Sequence, residues 1–415
     1  MRVLIIGIGT RGDVAPYTGL GGRLRVAGHE VAIAAHEPYA EMVRACGLEF
    51  RPIPGDPLPL LPAGKGGLPA GRGRERTSMA ARVGMFAEYE RQTGDGIVAA
   101  AERGADVLLL NVPASAGIHV AEAMGVPSMG VYLQPVDPTG DFSPVLGAFT
   151  RSLGRWGNRT ASRLAFTTPS PVYLGARRLR ARLGLPGATA AATYRRREST
   201  RWPVFHGFSP SVLPRPADWR EGLEVAGYWW PEDPPGWRPP AKLVDFLDAG
   251  PPPVFVGFGS MGSGPLARAG EAAVTALRRA GLRGVLQTGA AGPDLGGDDV
   301  FHAGDVPHSW LFPRMAALAH HAGCGTTAAG LRAGVPAVGI PAMTDQRLWA
   351  SRLAALGVGP AAIPLGHLSA ERLAAALDAA VSERSYRDRA GILAGRIEAE
   401  DGAGAVVEAV GRIGG

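Results

Sequence analysis

The sequence predicts an α/β protein built from two Rossmann-like, doubly wound domains facing each other across a cleft. Three observations lead there. Short apolar runs alternate with helix-length segments from the first residues onward, a proline-rich stretch interrupts the chain at 231–240, and the same alternation restarts beyond it. A length of 415 residues suits two such domains, and a hydrophobic share of 46% gives each a sizeable core to bury.

Val3 to Ile8 reads as a buried strand ending in the turn Gly7-Ile8-Gly9. Val14 to Ala27 reads as a helix stopped at Gly28, Glu30 to Ala35 as a second strand, Pro38 to Cys46 as a helix and Leu48 to Ile53 as a third strand. Met79 to Glu102, Val107 to Leu110, Ser115 to Met124 and Ser128 to Leu133 continue as helix, strand, helix and strand. Two stretches break the pattern. Ala63 to Arg76, rich in Gly, Arg and Pro, reads as a mobile loop, and Pro135 to Arg182 carries helical segments of the kind that shape a ligand pocket. These assignments make 1–230 an N-terminal domain, 231–242 a stiff proline-rich linker and 243–415 a C-terminal domain whose last helix packs back on the first. Within the second domain a short helix, Leu243 to Ala249, precedes strands at Val254 to Phe258, Val285 to Gln287, Leu318 to His321, Val335 to Ile340 and Val358 to Ile363, with helices between Ala370 and Gly411.

The net charge of +6 comes almost wholly from arginine, since Lys65 and Lys242 are the only lysines. That bias is the pattern of a GC-rich coding sequence and is a poor argument for nucleic-acid binding. Cys46 and Cys324 lie far apart without metal-ligand spacing, which predicts reduced thiols and no metal site. The N-terminus does not read as a signal peptide, and no stretch approaches the roughly 20 apolar residues of a membrane span. A cytoplasmic protein without a transmembrane segment is expected.

Gly7-Ile8-Gly9-Thr10-Arg11-Gly12 fits the dinucleotide pattern G-x-G-x-x-G after a strand and before a helix, and Glu37 stands where a ribose-binding acid would. Alone it would suggest an NAD(P)- or FAD-dependent oxidoreductase. Asp13 argues against that reading: a carboxylate at the helix start repels a phosphate and is well placed to accept a proton.

The densest constellation runs from His320-His321-Ala322-Gly323-Cys324-Gly325-Thr326-Thr327 through Gly334-Val335-Pro336 to Pro341-Ala342-Met343-Thr344-Asp345-Gln346. An apolar strand delivers two histidines to its carboxyl end. Small residues admit a close backbone approach, and Thr326 and Thr327 start a helix whose free N–H groups favour a diphosphate. Asp345 and Gln346 offer acceptors and donors suited to sugar hydroxyls, and Ser260, at another strand end, adds a hydroxyl. Taken singly, His320 and His321 would read as core histidines, and Asp345 and Asp13 as helix caps.

The segment from Val306-Pro307-His308 to Gln346 resembles the donor-binding signature of the family 1 nucleotide-sugar glycosyltransferases, which have the GT-B fold. Gly9-Thr10-Arg11-Gly12-Asp13-Val14 and Gly207-Phe208-Ser209-Pro210 through Gly227-Tyr228-Trp229-Trp230 resemble the sterol 3β-glucosyltransferase branch, to which the vancomycin-group antibiotic glycosyltransferases are similar. The resemblance implies that His321 contacts the diphosphate, Gly323, Gly325 and Thr326 form the phosphate-binding turn, Asp345 and Gln346 bind sugar hydroxyls, Ser260 reaches the donor phosphates and Val306 lines the base. It implies Asp13 as general base, next to the acceptor-side loop Thr10-Arg11-Gly12. Two positions depart from the family pattern. The first loop lacks the histidine many relatives use as base, and Asp305 stands where many stack a tryptophan, with Trp310 nearby but out of register.

The expectation is an inverting transferase that moves a hexose or deoxyhexose from a UDP- or TDP-sugar to a small apolar acceptor, a secondary-metabolite aglycone, without metal or other cofactor. The competing readings are the oxidoreductase and a non-catalytic auxiliary protein of the same fold. The sequence leaves open the acceptor, the sugar, UDP against TDP, the linking atom and the oligomeric state.

Overall fold

A computed structural model of the chain describes residues 1–55, 79–145, 151–168, 171–234, 236–258, 265–287, 297–342 and 345–414. The mobile-loop assignment at 63–76 and the donor-phosphate assignment of Ser260 fall outside them. The chain divides into two compact units. One takes the described residues up to 234 together with 400–414, and the other takes those from Gly236 to Ala399.

The first unit holds a seven-stranded parallel sheet. Its strands are β1 (Arg2–Ile6), β2 (Glu30–Ala35), β3 (Glu49–Pro52), β4 (Val107–Leu110), β5 (Ser128–Tyr132), β6 (Val204–His206) and β7 (Leu223–Val225), in the order β3-β2-β1-β4-β5-β6-β7. Val3 to Ile6 and the whole of β4 are buried, as expected of strands covered on both faces. The strand order reverses between β1 and β4, so the crevice beyond their carboxyl ends is where such a sheet binds ligands. The loop Gly7–Thr10 leaves β1 there and enters the helix Arg11–Val26. That helix is held against the sheet at β5: the Tyr17 hydroxyl donates to the Val131 carbonyl at 2.7 Å. A Cβ on Gly19 would lie 1.6 Å from the Trp230 carbonyl oxygen, so only glycine lets this segment cross the helix.

The second unit holds a five-stranded parallel sheet of β8 (Val254–Gly257), β9 (Gly284–Gln287), β10 (Val300–His302), β11 (Ala317–His320) and β12 (Ala337–Gly339), in the order β10-β9-β8-β11-β12. Its core is formed by the sheet together with the helices Pro265–Arg279 and Ala370–Ser382. The reversal here falls between β8 and β11, which places the turn after His320 at the ligand-binding end of the sheet.

Val358 to Ile363 is not a strand. Its two ends do touch β12, since the Ala337 N–H donates to the Val358 carbonyl and the Ile363 N–H donates to the Gly339 carbonyl. Between them Gly359 and Pro360 carry the chain away from the ladder, and a proline nitrogen has no hydrogen to donate. Three short strands, β6, β7 and β10, were not expected. Each is three residues long, too short to show a period of two.

Residues 400–414 return to the first unit. The Trp229 indole donates to the Gly402 carbonyl at 2.9 Å, the Ser209 and Ser211 hydroxyls donate to Glu400 at 2.7 and 3.0 Å, and Arg23 pairs with Asp401 at 2.9 Å.

Candidate functional site

Two clusters stand at the two switch points. In the second unit, β11 ends at His320 and the next three residues make a tight connection to the helix Cys324–Arg332. The His321 N–H donates to the Gly257 carbonyl at 3.4 Å, tying the turn to β8. Ala322 takes φ = 58°, a left-handed conformation that costs a non-glycine residue about 1 kcal/mol or more. Gly323 caps the helix, and a Cβ there would lie 2.5 Å from His321 Nε2. The glycine therefore lets the imidazole lie across the helix start. Gly325 is exposed, and nothing lies within 4 Å of where its Cβ would be. The Thr327 N–H is the first to pair within the helix, with Gly323, and no acid stands in the first turn. The positive end of the helix dipole lies at this turn. Thr326 sits half-buried on that turn. Burial lowers the His321 pKa below its usual value, against the opposing pull of the Gly257 carbonyl, so the ring is neutral at pH 7. Its buried Nδ1 has no hydrogen-bond partner among the described residues.

Asp345 and Gln346 begin the helix Gln346–Ala355. The fully buried Trp349 donates its indole N–H to Asp345 Oδ2 at 3.0 Å, and Gln346 Oε1 accepts the Ala342 N–H at 2.9 Å. Both side chains are thus held in place by their own fold. Val306 is 4% exposed, so a contact with a nucleobase would fall to its backbone. Trp310 packs edge-on against Trp237 at 5.5 Å and lies under the Arg314 guanidinium at 4.3 Å.

In the first unit, Asp13 occupies the third position of the helix Arg11–Val26. Its Oδ2 accepts both the backbone N–H and the hydroxyl of Thr10, each at 2.9 Å. Its Oδ1 accepts the Gln134 amide at 3.3 Å. Burial raises the carboxyl above the usual aspartate value and outweighs these three hydrogen bonds. The carboxylate fills the loop: Gly9 has φ = 134°, and a Cβ on it would meet Asp13 Oδ2 at 2.5 Å. Thr10, the exposed Arg11 and the exposed Gly12 therefore surround a carboxyl group where a dinucleotide-binding loop would present bare amides.

Gln134 was not anticipated, since nothing local marks it. It follows β5, and its loop is anchored by Asp137, which lies 3.3 Å from His206 Nε2 and 3.6 Å from Arg197 in the interior. Burial would raise the Asp137 carboxyl; the contact with His206 and the charge of Arg197 outweigh it and hold it below the usual value. Asn111, at the end of β4, donates to the Ile8 carbonyl at 2.8 Å and steadies the same loop.

Residues 3–136 match the model of the glycosyltransferase family 28 N-terminal domain, and residues 291–411 match that of the erythromycin biosynthesis protein CIII-like C-terminal domain. O-mycaminosyltylonolide 6-deoxyallosyltransferase of Streptomyces fradiae is 37% identical over 97% of this chain and 95% of its own length. A sterol 3-beta-glucosyltransferase of Arabidopsis thaliana, UGT80A2, is 32% identical over 99% of this chain; the chain spans 65% of that relative's length. Among solved structures, the glycosyltransferase of kitacinnamycin superposes with a TM-score of 0.70 at 20% identity, covering 99% of this chain and 98% of that one. VinC, in complex with DTDP, superposes at 0.68 with 21% identity, covering 100% and 99%. No helix among the described residues is long and apolar enough to cross a membrane.

Proposed function

Because the chain belongs to the glycosyltransferase family that joins the sterol 3-beta-glucosyltransferases to the antibiotic glycosyltransferases, and has their GT-B fold, we propose that it moves a hexose or deoxyhexose from a UDP- or TDP-sugar to a hydroxyl of a small apolar natural product, with inversion. The observation that carries this reading is the turn His321–Thr326, which brings together a neutral imidazole, two glycines and a helix N-terminus without an acidic residue. A leaving diphosphate needs donors that are in place before its charge develops, and this turn supplies them. Asp345 and Gln346, fixed by Trp349 and Ala342, are the groups for the sugar hydroxyls.

The acceptor hydroxyl must lose its proton as the new bond forms. Asp13 supplies the base. Its carboxyl, raised by burial, is a better proton acceptor than an exposed aspartate. One displacement by the acceptor oxygen on the anomeric carbon gives inversion, with no covalent sugar–enzyme stage. In this reading the turn meets the diphosphate's charge without a metal ion, so activity is expected to survive chelation by EDTA.

The Asp13 carboxylate within the Gly7–Gly12 loop weighs against the oxidoreductase reading. Calorimetric titration with UDP, TDP, NADH and NADPH separates the two. Binding of UDP or TDP that His321→Ala weakens about tenfold or more is expected; binding of a reduced nicotinamide cofactor alone would contradict the proposal.

A further inference from the structure

We propose that His320, one residue before the histidine assigned to the diphosphate, is a positioning residue that holds the donor-binding turn in its left-handed shape by accepting the Ala322 N–H. The inference rests on the reading of this turn as the diphosphate site and goes one step behind it. Nothing in the ring's own surroundings assigns it that role; the geometry of the turn does.

Ala322 is one of two non-glycine residues among those described with positive φ, at 58°. A left-handed alanine persists only where its surroundings over-determine it. The determining contact is short and local: the Ala322 N–H donates to His320 Nδ1 at 3.0 Å, inside the protein. The His320 side chain is completely buried at the end of β11, and its strand is fixed in register against Gly257 and Gly339 on either side. Ring position is therefore set by the sheet, and the ring in turn sets the amide two residues on.

The direction of this bond fixes the ring's chemistry. An amide N–H can only donate, so Nδ1 carries no proton and the single imidazole proton sits on Nε2. Burial, helped by the neighbouring His321 and His308, pushes the His320 pKa down to about 3. The acceptor is therefore available across the working pH range. His321 leaves the same turn at right angles, with the two rings inclined at 81°. Turning Ala322 back to an ordinary conformation would redirect Gly323 and, with it, the helix start on which His321 lies.

Three substitutions separate positioning from core filling. Asparagine places its side-chain oxygen near the position of Nδ1 and keeps the acceptor; leucine keeps the volume and loses it; Ala322→Gly removes the strain the acceptor has to overcome. UDP and TDP affinities are measured by calorimetry beside the melting temperature, with kcat at saturating donor. The expectation is that His320→Asn binds like the parent, His320→Leu binds about tenfold more weakly with kcat largely kept, and His320→Leu with Ala322→Gly recovers most of the loss. Unchanged affinity in a folded His320→Leu, a loss in His320→Asn equal to that in His320→Leu, or no recovery in the double variant would overturn the inference. If His320→Leu does not fold, His320→Gln, whose acceptor is displaced by one bond, takes its place. A parent protein that binds neither UDP nor TDP defeats the donor-site reading itself, which is a different outcome.

Discussion

Asp13 carries two duties in one carboxylate: Oδ2 holds the start of its helix through Thr10, and Oδ1 faces Gln134. Asp13→Asn keeps the cap geometry but loses the base, so donor affinity should stay near the parent's while kcat falls about a hundredfold or more. Because burial raises this carboxyl, the acid limb of kcat/KM should lie above the ordinary aspartate range, and the residual activity of Asp13→Asn should lack that limb. Gln134→Leu removes a hydrogen bond that favours the ionised form, which should move the acid limb to higher pH; an unchanged limb would show that Gln134 does not tune the base. A second titration concerns stability. His119 is buried beside Arg180, and burial first, then that charge, lowers its pKa to about 4. The unfolded chain, with a histidine near 6.5, binds more protons between these values, so stability is full above pH 6.5 and falls by up to about 1.4 kcal/mol per unit as pH drops towards 4. His119→Gln should flatten that part of a melting-temperature profile. Asp13 and His321 could be singled out in the sequence because glycines mark the turn beside each. Gln134 could not, because it meets Asp13 across 121 positions and only the sheet order brings β5 beside β4.

At the level of elements, long helices and fully apolar strands were readable. The helix Met79–Glu102, the strands β2 and β4, and the glycine-ended turns after β1 and β11 fall where periodicity and glycine place them. The three short strands carry no period in three residues each, whereas the apolar run Val358–Ile363 is taken off the ladder by Gly359 and Pro360. The motifs around Ser209 and Trp229 show the converse. They were noticed for their likeness to relatives, and the structure gives them a mechanical task in the first unit: Ser209, Ser211 and Trp229 clasp Glu400 and Gly402, where the chain returns. A Cβ on Gly402 would lie 2.4 Å from the Tyr228 carbonyl oxygen. Gly402→Val should therefore release the helix Gly404–Gly414, making the end of the chain susceptible to limited proteolysis and lowering the melting temperature. A protease-resistant, equally stable variant would mean that the clasp is dispensable.

For the molecule as a whole, the same solution appears twice. Each unit opens its parallel sheet at a point where the strand order reverses, and each places a glycine-bearing loop and a helix start there. What differs is the chemistry placed at the helix start. Asp13 fills the first loop with a carboxylate, whereas the first turn of the helix Cys324–Arg332 has no acid and a neutral histidine beside it. On electrostatic grounds the first loop suits a proton in transit and the second suits an anion. That division of labour is the core of the account, and a crystal structure of the protein with TDP or UDP bound tests it most directly. The account predicts the diphosphate against the turn Gly323–Thr326, within hydrogen-bond distance of the His321 ring; a diphosphate lodged against Gly7–Gly12 instead would contradict it.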